Sequence, residues 1–337
     1  MEHNPILIPF FWLTRVGLAV LYVLRDLWHR PDRSFFEGPV PIPESKIRHT
    51  VEAAPDLPTH RYEFGAAAVG KTVYVAGGIF QPSVWLPTGR FEAFDTTTNT
   101  WSTKPSMPYV VHHPGVAADG RFVYVVGGCG IRIIPRNEVT RFDPQQNSWT
   151  SLSPMPTKRG ALGVACIGNF LYAVGGADYN KKYATLERYD IANDTWTTLS
   201  PMPTPREHLA VAVSAGKLHV LGGYATDRFG SLTTHEIYDP ITDKWKKGAP
   251  LPMRLCGFAA AALGNEILTF GGEQGWAVVP FVLSYNTKTE SWSRLPDLRE
   301  PRYAAAAAEC NGAVHVFGGN TRMFSNDFSR HHDVFSR

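Results

Sequence analysis

The chain has 337 residues, 44% hydrophobic and 19% charged, a composition that supports a large core and excludes intrinsic disorder. Its 33 basic and 30 acidic side chains leave a net charge of +3 with no run of like charges, so nucleic acid is not expected as a partner. The four cysteines, Cys129, Cys166, Cys256 and Cys310, form no CxxC or Cys/His cluster of zinc type and read as free thiols.

In chain order, the first element is a hydrophobic helix over residues 1–30. Residues 5–24 contain twelve Ile, Leu, Val and Phe, which favour insertion into a bilayer by about 4 to 7 kcal/mol, against a cost of about 2.5 to 3.5 kcal/mol for the central Arg15. The segment is therefore expected to be a single-pass anchor. Arg25, Arg30 and Arg33 follow it, which places the rest of the chain on the cytoplasmic side. A helix packed on the folded part or on a partner, or a targeting peptide, are the alternatives. Residues 31–45, with Pro31, Pro39, Pro41 and Pro43, read as a stiff extended linker.

From residue 46 to 337 the chain repeats. Diglycines behind an apolar run stand at Gly77, Gly127, Gly175, Gly222, Gly271 and Gly318, spaced by 50, 48, 47, 49 and 47 residues. Trp101, Trp149, Trp196, Trp245 and Trp292 follow the first five. Six residues before each Trp is Asp95, Asp143, Asp190, Asp239 or Asn286, behind an aromatic. Proline turns come next, then an arginine column, Arg159, Arg206, Arg254 and Arg302, interrupted at Val111. Each unit reads as four short strands, with an Ala/Gly-rich first strand after the arginine and a second running into the diglycine.

The diglycine, Tyr/Phe-Asp pair, Trp and Met-Pro turn in register resemble the kelch repeat over residues 46–337. The resemblance implies a β-propeller with a central tunnel. Six diglycines but five Trp require a displaced strand. Aligning Pro55–Arg61 with Pro296–Arg302 puts Val51 in the Trp position, so residues 48–54 are expected to close a ring of six blades with the last strand near Phe335 and Ser336. The fold expected is thus an all-β six-bladed propeller behind one hydrophobic helix.

Two candidate sites follow. The post-diglycine loops, expected on the same end as the arginine turns, carry Trp85, Arg132, Arg136, Tyr183, Arg228 and Trp276; exposed aromatics among arginines match interface anchors, and Arg132 and Arg136 bracket an apolar Ile133-Ile134-Pro135 tip. These six form the expected binding face for another protein. Two residues beyond the arginine column, after sliding the fifth blade by one, stand Glu63, His113, Ala161, His208, Gly257 and Ala304. Glu63, His113 and His208 are the candidate acid/base set for a small-molecule enzyme. A metal centre is not expected from them, because the second and fourth blades are not neighbours, and no cofactor is assigned. The arginine column itself reads as structural, bonding carbonyls or aspartates of the repeat.

No nucleophile elbow, phosphate loop or HExxH occurs. The resemblance admits copper oxidases, whose Tyr, Cys and His ligands cannot be assembled here, and sugar-mutarotating enzymes as the closer analogue. The leading expectation is a membrane-tethered scaffold that binds protein; a carbohydrate mutarotase or epimerase and a structural subunit of a membrane complex are the alternatives.

Overall fold

A computed structural model describes residues 41–81, 86–225, 230–275, 277–323 and 325–337. The expected N-terminal helix and its bilayer segment 5–24 lie outside these residues, as do Trp85, Arg228 and Trp276. Among the described residues, no helix is long and apolar enough to cross a membrane.

Six four-stranded antiparallel sheets make six blades. In the first, Gly65–Val69, Thr72–Ala76, Phe91–Asp95 and Thr100–Thr103 run from the innermost to the outermost strand. The sixth is built from both ends of the propeller segment: Thr50–Ala54 pairs with His332–Ser336, with Val51 opposite Phe335. Ring closure by an N-terminal strand is therefore observed, in the expected register. Before that strand, the Ser45 N–H donates to the Arg294 carbonyl and the Arg294 N–H to the Pro43 carbonyl, which ties residues 43–45 to the fifth blade.

The innermost strands pack against one another all around the ring. Space there is short, which explains their small residues. A Cβ at Gly65 would stand 2.3 Å from Val116, and one at Gly115 would stand 2.1 Å from Val164. Among the described residues there is no single central core. The buried apolar side chains form layers between successive blades: Tyr74, Phe91 and Ala93 pack on Val123, Val125 and Phe142, and Tyr124 and Val126 on Leu171 and Tyr189.

Each repeated residue has a local physical cause. The Asp or Asn closes an Asx turn between the third and fourth strands; Asp95 Oδ1 accepts the N–H groups of Thr97 and Thr98 at 2.8 and 3.2 Å. The Trp six residues later ties its blade to the one before. Trp149 Nε1 donates to the Pro105 carbonyl at 2.9 Å, Trp196 to Ser153 and Trp245 to Ser200, each acceptor lying four residues beyond the preceding Trp. Trp101 donates to Pro55, four residues beyond Val51, which fixes Val51 as the sixth member of this column.

Both glycines of every pair have positive φ, and the second donates its N–H to the next blade at the arginine-column position. A Cβ on Gly128 would lie 2.8 Å from the His112 carbonyl oxygen, so a side chain is excluded by contact as well as by backbone conformation. These bonds also correct the column in the fifth blade. Gly223 N–H donates to the carbonyl of Leu255, not Arg254, so Leu255 is the column residue and is fully buried. Leu255 stands ten residues after Trp245, the same interval as in every other blade, and Arg254 lies one residue before the column.

Candidate functional site

The residue after each diglycine bridges to the residue after the column, as in Cys129 with His112 and Tyr224 with Glu207. Post-diglycine loops and column turns therefore share one end of the propeller, as strand order requires. One residue further along, six backbones converge on the axis and bond to each other. Glu63 N–H donates to the Ala304 carbonyl, His113 to Glu63, Ala161 to His113, His208 to Ala161, Gly257 to His208 and Ala304 to Gly257, at 2.6–3.1 Å. All six are left-handed, with φ between 49° and 59°. The six residues aligned from the sequence thus form one closed hydrogen-bonded ring.

Three members carry small side chains or none, and the other three converge. His113 Nε2 lies 3.0 Å from Glu63 Oε2 and 3.1 Å from His208 Nε2, and His208 Nε2 lies 3.8 Å from Glu63 Oε1. Their side chains are 11–27% exposed, so the group is sheltered but open to the mouth. One donor atom from each falls within 4.8 Å of the others. Blade adjacency does not keep these groups apart, because at the axis every blade is close to every other. The separation that argued against a metal centre is overturned by this geometry.

An outer layer supports them. His208 Nδ1 faces Glu207 Oε2 at 3.6 Å, Lys182 Nζ pairs with Glu207 at 3.0 Å and lies over the Tyr224 ring, and His113 Nδ1 bonds His112 Nδ1. Burial works against the Glu63 carboxylate, but His113 and His208 outweigh it and hold its pKa well below the usual range. Burial likewise opposes the His208 imidazolium, yet Glu207 and Glu63 raise its pKa well above 6.5. At neutral pH the mouth therefore holds a carboxylate against an imidazolium. Burial pushes the Cys129 thiol up to about 12 and leaves it unreactive.

Across the described mouth, a pocket of about 100 Å3 runs from His113 and His208 to Ile133, Pro135 and Tyr179. Ile131, Ile133 and Ile134 on the second blade's loop are exposed, with Tyr179 from the third blade's loop 62% exposed beside them. The Tyr179 hydroxyl donates to the Arg132 carbonyl, joining the two loops. Arg132 and Ile133 both have φ near 60°, and for a β-branched residue that conformation is strained.

The Attractin/LZTR1 beta-propeller family matches residues 123–337, more than half of the chain, and the Kelch motif matches residues 60–108. The chain is a kelch-repeat β-propeller. Among its relatives, Kelch-like protein 24 of Homo sapiens is 36% identical over 90 residues, 26% of this chain and 14% of that protein. Kelch-like protein 21 of Danio rerio is 30% identical over 91 residues, 27% of this chain and 15% of that protein. The F-box/kelch-repeat protein SKIP11 of Arabidopsis thaliana is 30% identical over 92 residues, 26% of this chain and 20% of that protein. The matched stretches thus span a fifth or less of these relatives' lengths.

Within the kelch propeller, the site residues expected from sequence divide. Glu63, His113 and His208 meet. Arg132 is exposed at the apolar tip. Arg136 is engaged within the protein, paired with Glu138 at 2.5 Å and lying over the Tyr109 ring, while Tyr183 donates to Asp178 at 2.6 Å. Their engagement follows from the loops folding back on their own blades. Glu207, His112 and Glu273, whose Oε1 accepts from the Cys256 thiol at 3.1 Å, were missed. Their signal is positional: each stands one residue past the column or past a diglycine, where side chains border the mouth.

Proposed function

We propose that this kelch propeller binds another protein through its post-diglycine loops, and that residues 5–24 tether it to a membrane with the propeller on the cytoplasmic side. Kelch propellers generally bind other proteins. The observation that carries the reading is the apolar patch of Ile131, Ile133, Ile134 and Tyr179 beside the exposed Arg132 and Lys181. A strained Ile133 turned out to solvent is costly unless it meets a surface, and the cationic rim suits a partner whose apolar groove is edged by carboxylates. Trp85, Arg228 and Trp276 belong to the same set of loops and are assigned to the same face. The tether rests on the apolar length of residues 5–24 and the arginines that follow them.

The test is a pull-down from solubilised membranes, with and without residues 1–44. Substituting Ile133→Asp or the pair Arg132→Ala and Trp276→Ala is expected to weaken partner capture at least tenfold, about 1.4 kcal/mol, with the fold intact. Lys71→Ala, in a hairpin turn, and Lys217→Ala, at the start of a second strand, both at the opposite end, are expected to leave capture unchanged; equal losses there would identify the wrong face. Removing residues 1–44 is expected to release the protein from membranes, and continued sedimentation with lipid would refute the tether.

The convergence of Glu63, His113 and His208 favours a second reading, acid/base turnover of a small molecule such as a sugar at the mouth. A thermal-shift screen of sugars and small acids tests it. A ligand whose effect is lost in His113→Ala and His208→Ala supports the enzyme, and a screen with no such ligand removes it.

A further inference from the structure

We propose that Glu63, His113 and His208 form a mononuclear site for a divalent first-row transition ion. Ligand bonds to such an ion are about 2.0–2.2 Å long, so two donors set roughly at right angles or at the tetrahedral angle stand about 3.0–3.4 Å apart. The distances of 3.0 Å from His113 Nε2 to Glu63 Oε2 and 3.1 Å to His208 Nε2 are edges of that size. A hydrogen shared between two imidazole nitrogens satisfies one pair only, whereas an ion that displaces the His208 proton to solvent is met by all three donors together.

A second observation is the orientation of the rings. Both imidazoles turn Nε2 to the centre and Nδ1 to an outer partner, His208 towards Glu207 and His113 towards His112. For His208 the outer partner is a carboxylate, the usual support of a ligating histidine, since it fixes ring orientation and raises ligand basicity. The hydrogen-bonded backbone ring holds the three Cα positions before any ion arrives. Ala161, Gly257 and Ala304 occupy the remaining ring positions with little or no side chain, which leaves coordination positions open towards the mouth. Two nitrogens and one carboxylate on one side of an ion suit zinc, cobalt or iron in the divalent state over calcium or magnesium.

The experiment uses the full-length chain, solubilised, stripped with a chelator and titrated with Co2+. One equivalent is expected to give the visible d–d absorption of a nitrogen-ligated ion, which Zn2+ then displaces. His113→Ala and His208→Ala are each expected to weaken binding roughly a hundredfold or more, and Glu207→Gln, behind His208, about 10–100-fold. Alanine in the ring is compatible with the fold, because Ala161 and Ala304 already stand there with φ of 52° and 54°. Glu63→Gln keeps the side-chain shape and removes the carboxylate if either alanine variant fails to fold. His60→Ala, an exposed histidine, is expected to change nothing. A chain that gives no such absorption, or an absorption that survives in the His113→Ala/His208→Ala double variant, would overturn the site.

Discussion

Arg61, Arg159, Arg206 and Arg302 are fully buried guanidinium groups, each met by an acid on the third strand of its own blade. Arg159 pairs with Glu187 Oε2 at 2.5 Å and donates to the Ala173 carbonyl at 3.0 Å, and Thr157 completes the carboxylate at 2.7 Å. Where the arginine is absent, so is the acid. Val111 shares its blade with Thr140 and Leu255 with Leu283, at the positions held by glutamate or aspartate elsewhere. A buried charge without its counter-ion is costly, so the two are lost together. Arg206→Met alone is therefore expected to cost about 3–5 kcal/mol, through the stranded Glu236. The double substitution Arg206→Leu with Glu236→Leu, which copies the fifth blade, should recover most of that loss in chemical denaturation. A double variant no more stable than the single would show that the pair acts by some means other than charge compensation.

At the scale of an element, the closing strand Thr50–Ala54 is the test of the ring. It supplies the outermost strand of the sixth blade and, through Pro55, the acceptor for Trp101 of the first. Arg330 Nε also donates to the Leu57 carbonyl at 2.9 Å, and Leu57 is fully buried. Deleting residues 46–57 removes these ties at once and exposes a sheet edge. The expected result is a large fall in melting temperature with concentration-dependent association. An unchanged melting temperature would be incompatible with closure by this strand.

At the scale of the molecule, the layers between blades bury neutral histidines whose protonation couples to global stability. His219 and His235 face each other at 3.0 Å, and His315 and His332 at 2.8 Å. Burial lowers their pKa values to about 3, 4, 4 and 3 respectively, with the partner imidazole and nearby Lys217 and Lys246 adding to the effect on His219. Between pH 6.5 and these values the unfolded chain binds protons that the folded one does not. Stability is thus fully present above about pH 6.5 and falls as pH drops towards 4, by up to about 1.4 kcal/mol per pH unit for each histidine. Urea midpoints are expected to fall steeply from pH 7.5 to 5, and the His315→Gln/His332→Gln variant should show a shallower dependence. Equal midpoints at the two pH values would sink this account.

Blade number, the closing strand and the membership of the axial ring were all readable in the chain, because each is set by a local requirement that recurs every 47–50 residues. A diglycine marks left-handed backbone, an Asp an Asx turn and a Trp a tie to the preceding blade. Register follows from counting between them: ten residues from Trp245 lead to Leu255, and the reading missed it only by following the residue type to Arg254 instead of the interval. What lies across the repeat was hidden. The acid behind each buried arginine recurs three residues before the Asx-turn position, but its contact with the arginine, the pairing of histidines between blades and the Arg136–Glu138 pair that engages a supposed binding arginine show only in the folded chain. Above all, sequence order assigns Glu63, His113 and His208 to separate blades, while the propeller brings every blade to one axis. Only that convergence decides that three side chains 50 and 95 residues apart share a single centre.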